Sequence, residues 1–478
     1  MNGLEKFVCR SPWSVLRLSF LAISFYVIQN CLAEQPNKES KEKPTFSSSM
    51  TVIPPALVSD KVEIEIRVAV RNHSTTSTIV NLVLSLEMAD GEIRPLVGTP
   101  LEVNAHGQEL FSYRLSTADY VGDNKITCRV TGPEGLVQSD EWPLSVVACD
   151  SIAVPLLQVG WIDPGVMTPD ALSQRRPPTE QDLRDAIDSC YKIGMTSLII
   201  SYPEAVYLNN GMYYPSQVFE EDDSTVSFDV VGTILNQASK NGQHVIVGLG
   251  RGPDLLLTWT GFDDRERNEA ALAHSMKIAT ELWALYKHEP SFYGWYLSHE
   301  ANDIAQASKS YYNPITKFLR TFEADKPVLI SPSGTPLLPP GALEDSDVDI
   351  IAYQDAVGSG YVPYENTFDP QRRIETLEEV YSTYANAHRG TDKHLWTNLE
   401  IWQMDGPAYG NSYPPSFDRV FQQLEIEKKY VDVISTYTVL GYMESPSAEV
   451  ELGGPKAVKL YDSYREYYLK MKKKLELK

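Results

Sequence analysis

The stretch "FYGWYLSHE", residues 292–300, begins as an apolar, aromatic strand and ends on a glutamate. Successive side chains of a strand point to opposite faces, so Tyr296, Ser298 and Glu300 share one face. A carboxylate at the end of an apolar strand is costly unless another group holds it or a reaction uses it. The stretch therefore predicts a buried strand that delivers a carboxylate to a polar site.

Seven similar strand candidates surround this one from residue 151 onward, and helical patterns lie between most of them. The eight strand candidates are residues 155–163, 196–204, 244–252, 292–300, 327–333, 348–356, 394–402 and 431–439. The helical candidates are residues 179–194, 228–241, 266–287, 306–324, 371–388, 416–430 and 455–472. This alternation predicts a (β/α)8 barrel, an α/β fold, over residues 151–478. An open doubly wound sheet is the alternative, but no glycine-rich phosphate loop follows a strand.

The preceding segment, residues 50–150, has the pattern of a second domain. Short alternating strands are predicted at residues 61–70, 77–88, 109–115, 124–132 and 143–148. Turn signals such as "ADGE" (89–92) and "GPEG" (132–135) separate them. This spacing predicts an all-β sandwich, immunoglobulin-like in architecture. Because it carries no catalytic cluster, we expect a packing platform or spacer, with an accessory sugar-binding surface as the alternative.

The N-terminus has the composition of a signal peptide, predicted over residues 1–33. Basic residues precede the apolar run 18–28, which is too short to span a bilayer comfortably. Cys31 and Ala33 supply the small residues expected before a cleavage site. The polar segment 34–49 then predicts a flexible linker. We therefore expect export to the periplasm or the extracellular space.

Two points about the exported chain stay open at this stage. A lipid anchor at Cys31 would require a small residue before that cysteine, and "IQNC" lacks one, while a retained N-terminal anchor is a further alternative. No later segment is long and apolar enough to span a membrane. Cys128 and Cys149 either pair in an oxidising compartment or remain free thiols.

The net charge argues against a nucleic-acid partner, and the scarcity of metal-ligating residues argues against a metal or cofactor. The formal charge of −22 would repel a phosphate backbone, so we expect no nucleic-acid partner. No Cys-x-x-Cys motif or Cys/His cluster is present, and His299 alone among 8 histidines ends a predicted strand. We therefore expect neither a cofactor nor a metal, and a metal-dependent sugar isomerase is the weaker hypothesis.

The C-terminal strand ends of such a barrel, together with the loops that follow them, form its active-site face, here called the mouth. In the seventh strand Asn398 and Glu400 share a face, so Glu300 and Glu400 are both predicted to point into the mouth. They are the candidate catalytic pair. The candidate substrate-binding residues at the strand ends are His299, Trp161, Asp163, Tyr202, Glu204, Arg251, Tyr353, Gln354, Asp355, Asn398, Trp402 and Tyr437.

Two glutamates in one mouth suit glycoside hydrolysis, in which one protonates the leaving oxygen and the other stays ionised. The aromatic strand ends suit an oligo- or polysaccharide, because aromatic rings stack on the apolar faces of sugars. A strand-end glutamate can instead cap a helix or pair with Arg251. The second hypothesis is therefore a non-catalytic, glycan-binding barrel.

The placement of the two glutamates resembles the clan of retaining (β/α)8 glycosidases that includes cellulases and β-galactosidases. That resemblance implies Glu300 as acid/base, Glu400 as nucleophile and Tyr353 as the tyrosine that hydrogen-bonds the nucleophile. The chain departs from the clan at His299, where an asparagine usually precedes the acid/base.

Three segments carry a closer resemblance: "GWYLSHE" (294–300), "DIIAYQDAVGSG" (349–360) and "LWTNLEIW" (395–402). They resemble the recurrent segments of an uncharacterised, glycosidase-like barrel family, a domain of unknown function. This resemblance covers roughly residues 155–445. It implies the barrel fold and a carbohydrate ligand, but no particular reaction.

Overall fold

The computed structural model describes residues 45–135, 137–167, 178–205, 211–219, 227–251, 261–334, 336, 338, 341–363, 365–404, 412–446 and 453–477. The predicted signal peptide and linker residues 34–44 lie outside them. The described residues from Phe46 onward form one compact unit. Within this part of the chain, no helix combines the length and the apolar character needed to cross a membrane.

The N-terminal strands form two sheets, with orders β1-β3-β6 and β2-β8-β7-β4-β5. Alternation explains their packing, because Ile64, Ile66 and Val68 of β3 face Leu82 and Leu84 of β4 in one buried core. This arrangement confirms the predicted β-sandwich. The strands are β1 Phe46–Ile53, β2 Leu57–Ser59, β3 Glu63–Asn72, β4 Thr78–Glu87, β5 Ile93–Val103, β6 Gln108–Ser116, β7 Gly122–Thr131 and β8 Val137–Val147.

The structure corrects the predicted linker boundary and closes the question of the cysteines. Residues 46–49 belong to β1 rather than to the linker, because Phe46 packs in the sandwich core and the serines pair with β3. Cys128 and Cys149 are both free thiols. Burial raises the pKa of Cys128 to about 12 and that of Cys149 to about 11.

Strand β3 is buried on both faces because its second face packs on the barrel. Arg67 Nη2 donates to Asp349 Oδ1 at 2.7 Å, one residue before a barrel strand. Tyr293, near the start of another strand, donates through its hydroxyl to Val52 O at 2.8 Å. The ring of Trp142 stacks on that of His244 at 4.9 Å. The sandwich therefore covers the N-terminal ends of the barrel strands, opposite the mouth.

Eight parallel strands close into a barrel in the order β10-β11-β12-β13-β14-β17-β20-β9, which confirms the predicted fold. Each lies within one of the eight predicted strand segments. The bounds are β9 Val159–Ile162, β10 Ser197–Ile200, β11 His244–Gly248, β12 Phe292–Leu297, β13 Val328–Ile330, β14 Ile350–Gln354, β17 His394–Glu400 and β20 Val433–Tyr437. Two small hairpins pair β15 Tyr361–Val362 with β16 Thr367–Phe368, and β18 Gln403–Met404 with β19 Ser412–Tyr413.

Helices follow the barrel strands at the predicted positions. The first begins with a capping box, in which Thr179 and Asp182 bond each other's backbone N–H groups. The helices are Glu180–Lys192, Val230–Asn241, Arg265–Tyr286, Ile304–Ala307, Asn313–Leu319, Pro370–His388, Phe417–Glu427 and Gly454–Lys474. A π-helix, Ser308–Tyr312, interrupts the predicted helix 306–324, and 3-10 turns occupy Pro133–Gly135 and Pro164–Met167.

Candidate active site

An aromatic layer inside the barrel forms the floor of the mouth. Trp161, Tyr296 and Trp396 are buried in the barrel interior, and the Trp161 ring meets Tyr296 edge-on at 4.8 Å. Trp161 Nε1 donates to Ser435 Oγ at 2.9 Å. Because Tyr296 and Trp396 face inward, the alternating residues that follow them in β12 and β17 face the mouth. Trp161 itself is 1% exposed, so it supports the mouth from below.

Glu300, three residues beyond the end of β12, is held by a cation from the neighbouring strand end. Arg251 donates through Nη2 to Glu300 Oε1 and through Nε to Ser298 O, the latter at 2.8 Å. The guanidinium also lies over the Tyr202 ring, 5.1 Å from its centroid. Arg251 is buried and the Glu300 side chain is 16% exposed. A guanidinium is charged at any accessible pH, so Glu300 is an ion-paired carboxylate.

Glu204 fixes the position of Arg251 from beneath. Its Oε1 accepts the backbone N–H of Arg251, and its Oε2 lies 2.7 Å from His274 Nε2. Gly250 makes this contact possible, since it lies in the left-handed region (φ +75°) and a Cβ there would meet Glu204 Oε1 at 2.4 Å. Three adjacent strand ends therefore build one side of the mouth around the Arg251–Glu300 pair.

Glu400 ends β17 in different surroundings. Its Oε2 accepts the backbone N–H of Gly358 at 2.7 Å, and the residue is only 6% exposed. Burial and, after it, the charge of Asp355 raise the pKa of Glu400 to about 8. Arg419 is near but donates to the backbone carbonyl of Glu400, through Nη2 at 2.6 Å. These surroundings favour the neutral form of the Glu400 carboxyl, whereas Glu300 is paired with a guanidinium.

The loop after β14 brings its backbone to Glu400 through two special positions. Ala356 adopts a left-handed conformation (φ +57°), which turns the chain back over the strand end. A Cβ at Gly358 would meet Trp402 O at 2.6 Å and Glu400 Oε2 at 2.8 Å. The half-buried Trp402 therefore lies against this loop, and only glycine fits between it and Glu400.

Asp163 and Tyr437 form the part of the mouth contributed by β9 and β20. Tyr437 donates through its hydroxyl to Asp163 Oδ2 at 3.2 Å, and Gly165 N–H donates to Asp163 Oδ1 at 2.9 Å. Burial raises the pKa of Asp163. Tyr437 also meets Trp161 edge-on at 5.9 Å. This pair offers polar groups on an aromatic floor, which suits recognition of a hydroxylated ligand.

Asn398 and Gln354 lie beside the two glutamates on the inward face. Asn398 Nδ2 donates to Ser331 Oγ at 3.1 Å, and Gln354 Nε2 lies 3.5 Å from Ser331 O. Asn398 is buried and Gln354 is partly exposed. These residues link the ends of β13, β14 and β17.

Three residues predicted for the mouth lie instead on the helix side of the barrel. The buried His299 ring packs on Tyr311 at 4.6 Å, and its pKa is lowered well below the usual value by burial. Tyr353 stacks on Tyr384 at 3.8 Å, so it does not take the role of the tyrosine that hydrogen-bonds the nucleophile. Asp355 is buried and accepts from Gln423 Nε2 of the Phe417–Glu427 helix. The alternation that turns Glu300 inward turns His299 outward.

The prediction missed several residues that hold Glu400. Gly358 lies in the loop after β14, and Arg419, Gln423 and Glu427 lie on the buried face of one helix. The helical spacing of four puts these three polar residues on one stripe of the helix, but a polar stripe normally faces solvent, so the spacing did not indicate their burial. Across the described ranges, no group of three or more His, Cys, Asp or Glu side chains is arranged to hold a metal ion.

The described strands define a (β/α)8 barrel with Glu300 and Glu400 at its C-terminal strand ends. Residues 170–450 match the family model described as a domain of unknown function, DUF4434. The chain therefore belongs to this family. No curated protein matches the sequence.

Among solved structures, the chain resembles a proposed alpha-L-fucosidase from Bacteroides thetaiotaomicron, with 20% identity, a TM-score of 0.50, and coverage of 66% of this chain and 93% of that one. A GH2 beta-galacturonidase from Eisenbergiella tayi matches with 12% identity, a TM-score of 0.40, and coverage of 89% and 71%. A beta-D-glucuronidase from Dictyoglomus thermophilum matches with 11% identity, a TM-score of 0.42, and coverage of 89% and 68%. At these identities the likeness concerns the fold alone.

Proposed function

We propose that this protein is a glycoside hydrolase that uses Glu300 and Glu400 as its catalytic pair. The observation that carries the proposal is the contrast between the two carboxyl groups. Glu300 is ion-paired with Arg251, whereas burial and the charge of Asp355 keep Glu400 protonated at neutral pH. Two carboxyls whose environments separate their protonation states are what acid-assisted glycoside cleavage needs.

The contrast supports roles opposite to those that the clan resemblance implies. Glu400, as the protonated group, is the proton donor to the leaving oxygen, and Glu300 is the ionised carboxylate on the other side of the scissile bond. Strands β12 and β17 are separated by β13 and β14 in the closed barrel, which supports placing the two groups across one mouth. The ligand class is an oligo- or polysaccharide, supported by Tyr437 and Asp163 above the aromatic floor.

The proposal also includes the domain boundaries and the export that the sequence predicts. We place a signal peptide at residues 1–33, a linker after it, the sandwich before residue 150 and the barrel from residue 151. Export would bring the enzyme to extracellular or periplasmic glycans. N-terminal sequencing of the protein isolated from its natural host tests this part, and a mature chain that still begins at Met1 would overturn it.

A non-catalytic, glycan-binding barrel is the second candidate, and one observation favours it. The close contact between Arg251 and Glu300 uses a catalytic candidate in a salt bridge, as a binding site without turnover would do. In that case the mouth would recognise sugars without cutting them.

Hydrolysis of a broad panel of plant, algal and host glycans by the purified mature chain separates the two functions. Released sugar should fall on the order of 10³-fold or more in both Glu300→Gln and Glu400→Gln. Glu425→Gln, a partly exposed glutamate on the Phe417–Glu427 helix, is the control and should retain full activity. Glycan binding without turnover, unchanged in both variants, would establish the binding protein instead.

A further inference from the structure

Five buried polar side chains form a connected cluster behind Glu400, on the helix side of β17. They come from the end of β14, from β17 itself and from the two helices packed against these strands. All five have no exposed surface. This buried polar cluster consists of Asp355, Tyr381, Thr397, Gln423 and Glu427.

The cluster holds both backbone groups of Glu400. Asp355 Oδ1 accepts the N–H of Glu400 at 3.3 Å and that of Val357 at 3.0 Å. Gln423 Nε2 donates to Asp355 Oδ2 and lies 3.3 Å from Glu400 O, which also accepts from Arg419. The direction of the Glu400 side chain therefore depends on the positions of the Asp355 and Gln423 side chains.

The other end of the cluster offers Glu427 one hydrogen-bond donor among the described residues. Thr397 Oγ1 donates to Glu427 Oε2 at 2.7 Å, and the Tyr381 hydroxyl, which donates to Tyr353 O at 3.1 Å, contacts Thr397 Oγ1. A fully buried carboxyl with one hydroxyl donor lacks the hydrogen bonds that stabilise a buried charge, so this geometry favours the neutral form of Glu427.

The contact between Glu427 and Asp355 also favours a neutral Glu427. Their carboxyl groups are hydrogen-bonding neighbours, and two ionised carboxylates cannot share a dry site. Within the described residues, Glu427 Oε1 has no hydrogen-bond donor. Burial raises the pKa of Glu427 well above its usual value and that of Asp355 as well.

The charged groups around the pair decide which partner holds the proton. Arg419 favours the charged form of Asp355, and Arg373 donates through Nε to the Asp355 carbonyl at 2.6 Å. Arg373 favours the charged form of Glu427, but the burial of that residue and its neighbour Asp355 oppose it. Glu400 is the remaining acid facing Asp355.

We propose that Glu427 is a neutral carboxylic acid that, through Asp355, positions Glu400 in the mouth. Glu427 is a positioning residue, since it contacts Thr397 and Asp355 rather than the reacting atoms. The positioning part rests on the proposed function, whereas the neutral state of Glu427 does not.

Unfolding in urea between pH 5 and 8, for wild type and Glu427→Gln, tests the neutral state without any substrate. The unfolded carboxyl releases its proton near its ordinary pKa of 4.5, whereas the folded one retains it. The stabilisation that protonated Glu427 gives to the folded state is therefore complete below pH 4.5. It declines as the pH rises toward the pKa of Glu427 in the folded protein. The unfolding constant of the wild type, divided by that of Glu427→Gln, should therefore rise about tenfold per pH unit. The Gln variant thus becomes relatively more stable as the pH rises.

A constant ratio across this pH range would overturn the proposal, because it would mean that native Glu427 is ionised. Glu427→Leu carries no titratable group either and must give the same slope, so either variant decides the question. Glu425→Gln is the matched control on the same helix and should follow the wild type at every pH.

Kinetics on a cleaved glycan test the positioning role. Glu427→Gln keeps a hydrogen-bond donor at this position and should retain kcat within about twofold. Glu427→Leu removes that donor and should lower kcat roughly ten- to hundredfold with KM unchanged. A Leu variant with wild-type kcat would overturn positioning. If the wild type cleaves no glycan, the proposed function fails, and the unfolding experiment still decides the state of Glu427.

Discussion

Glu400 ends β17 and Glu300 lies three residues beyond the end of β12, in the same phase of alternation, yet their surroundings are opposite in kind. Glu300 meets a guanidinium from the neighbouring strand end. Glu400 meets a backbone N–H and, behind it, the carboxylate of Asp355. The first environment favours the charged form of a carboxyl and the second favours the neutral form.

The comparison shows that two properties of a strand-end glutamate have separate origins. The strand determines the direction of the side chain, because alternation is a local property of the backbone. The neighbouring loops and helices determine its charge, because they supply the cation, the N–H groups and the exclusion of water. Identical residues at equivalent positions can therefore carry opposite protonation states.

Removing the cation should have the largest effect on this contrast. In Arg251→Met, Glu300 loses its buried guanidinium partner, and we expect a loss of about 3–5 kcal/mol in the free energy of unfolding. Urea unfolding at pH 7 measures it. The double variant Arg251→Met/Glu300→Gln has no uncompensated charge at Glu300 and should be more stable than the single one. A single variant as stable as the wild type would show that the ion pair does not hold this side of the mouth.

The protonated state of Glu400 should appear in the pH dependence of hydrolysis. In the proposed mechanism Glu400 donates a proton, so kcat/KM should fall about tenfold per pH unit above pH 8. Asp355→Asn removes the second cause of the raised pKa and should move this alkaline limb to lower pH. The pH–rate profiles of wild type, Asp355→Asn and Glu425→Gln measure it. An alkaline limb that stays in place in Asp355→Asn would separate the charge of Asp355 from Glu400.

A smaller effect is expected from the loop that contacts Glu400. Gly358→Ala introduces a Cβ that would meet Trp402 O and Glu400 Oε2, so the loop must shift and its N–H must move away. We expect kcat to fall on the order of tenfold, with KM nearly unchanged. Gly98→Ala is the control, since the nearest side-chain atom to its Cβ would be at 3.9 Å. Equal kcat values for both variants would mean that the Gly358 contact has no role in catalysis.

Sequence alone located the strands but not every side chain at their ends. The eight barrel strands followed from apolar runs between helical patterns, and the directions of Glu300 and Glu400 followed from alternation. The same rule places His299 and Tyr353 on the helix side, because each is one residue out of phase with an inward-facing neighbour. The polar and aromatic side chains of His299 and Tyr353 suggested a place in the mouth. The phase of the strand alternation, however, determines the direction in which a side chain points.

The polar residues behind Glu400 were harder to predict because they come from distant parts of the chain. Asp355 and Glu427 are hydrogen-bonding neighbours only because the Phe417–Glu427 helix packs behind β14 and β17. The spacing of Arg419, Gln423 and Glu427 indicated a polar stripe on that helix. It did not indicate whether the stripe faces solvent or the barrel.

The order of strands and helices, the barrel and the inward direction of the two glutamates could be predicted from the sequence. These properties depend on local periodicity, which each segment carries in its own residues. The ion pair of Glu300, the raised pKa of Glu400 and the buried acid pair behind it became visible only in the folded chain. These properties depend on burial and on charges brought together from distant segments, since the electrostatic free energy of a carboxyl is set by its neighbours in space.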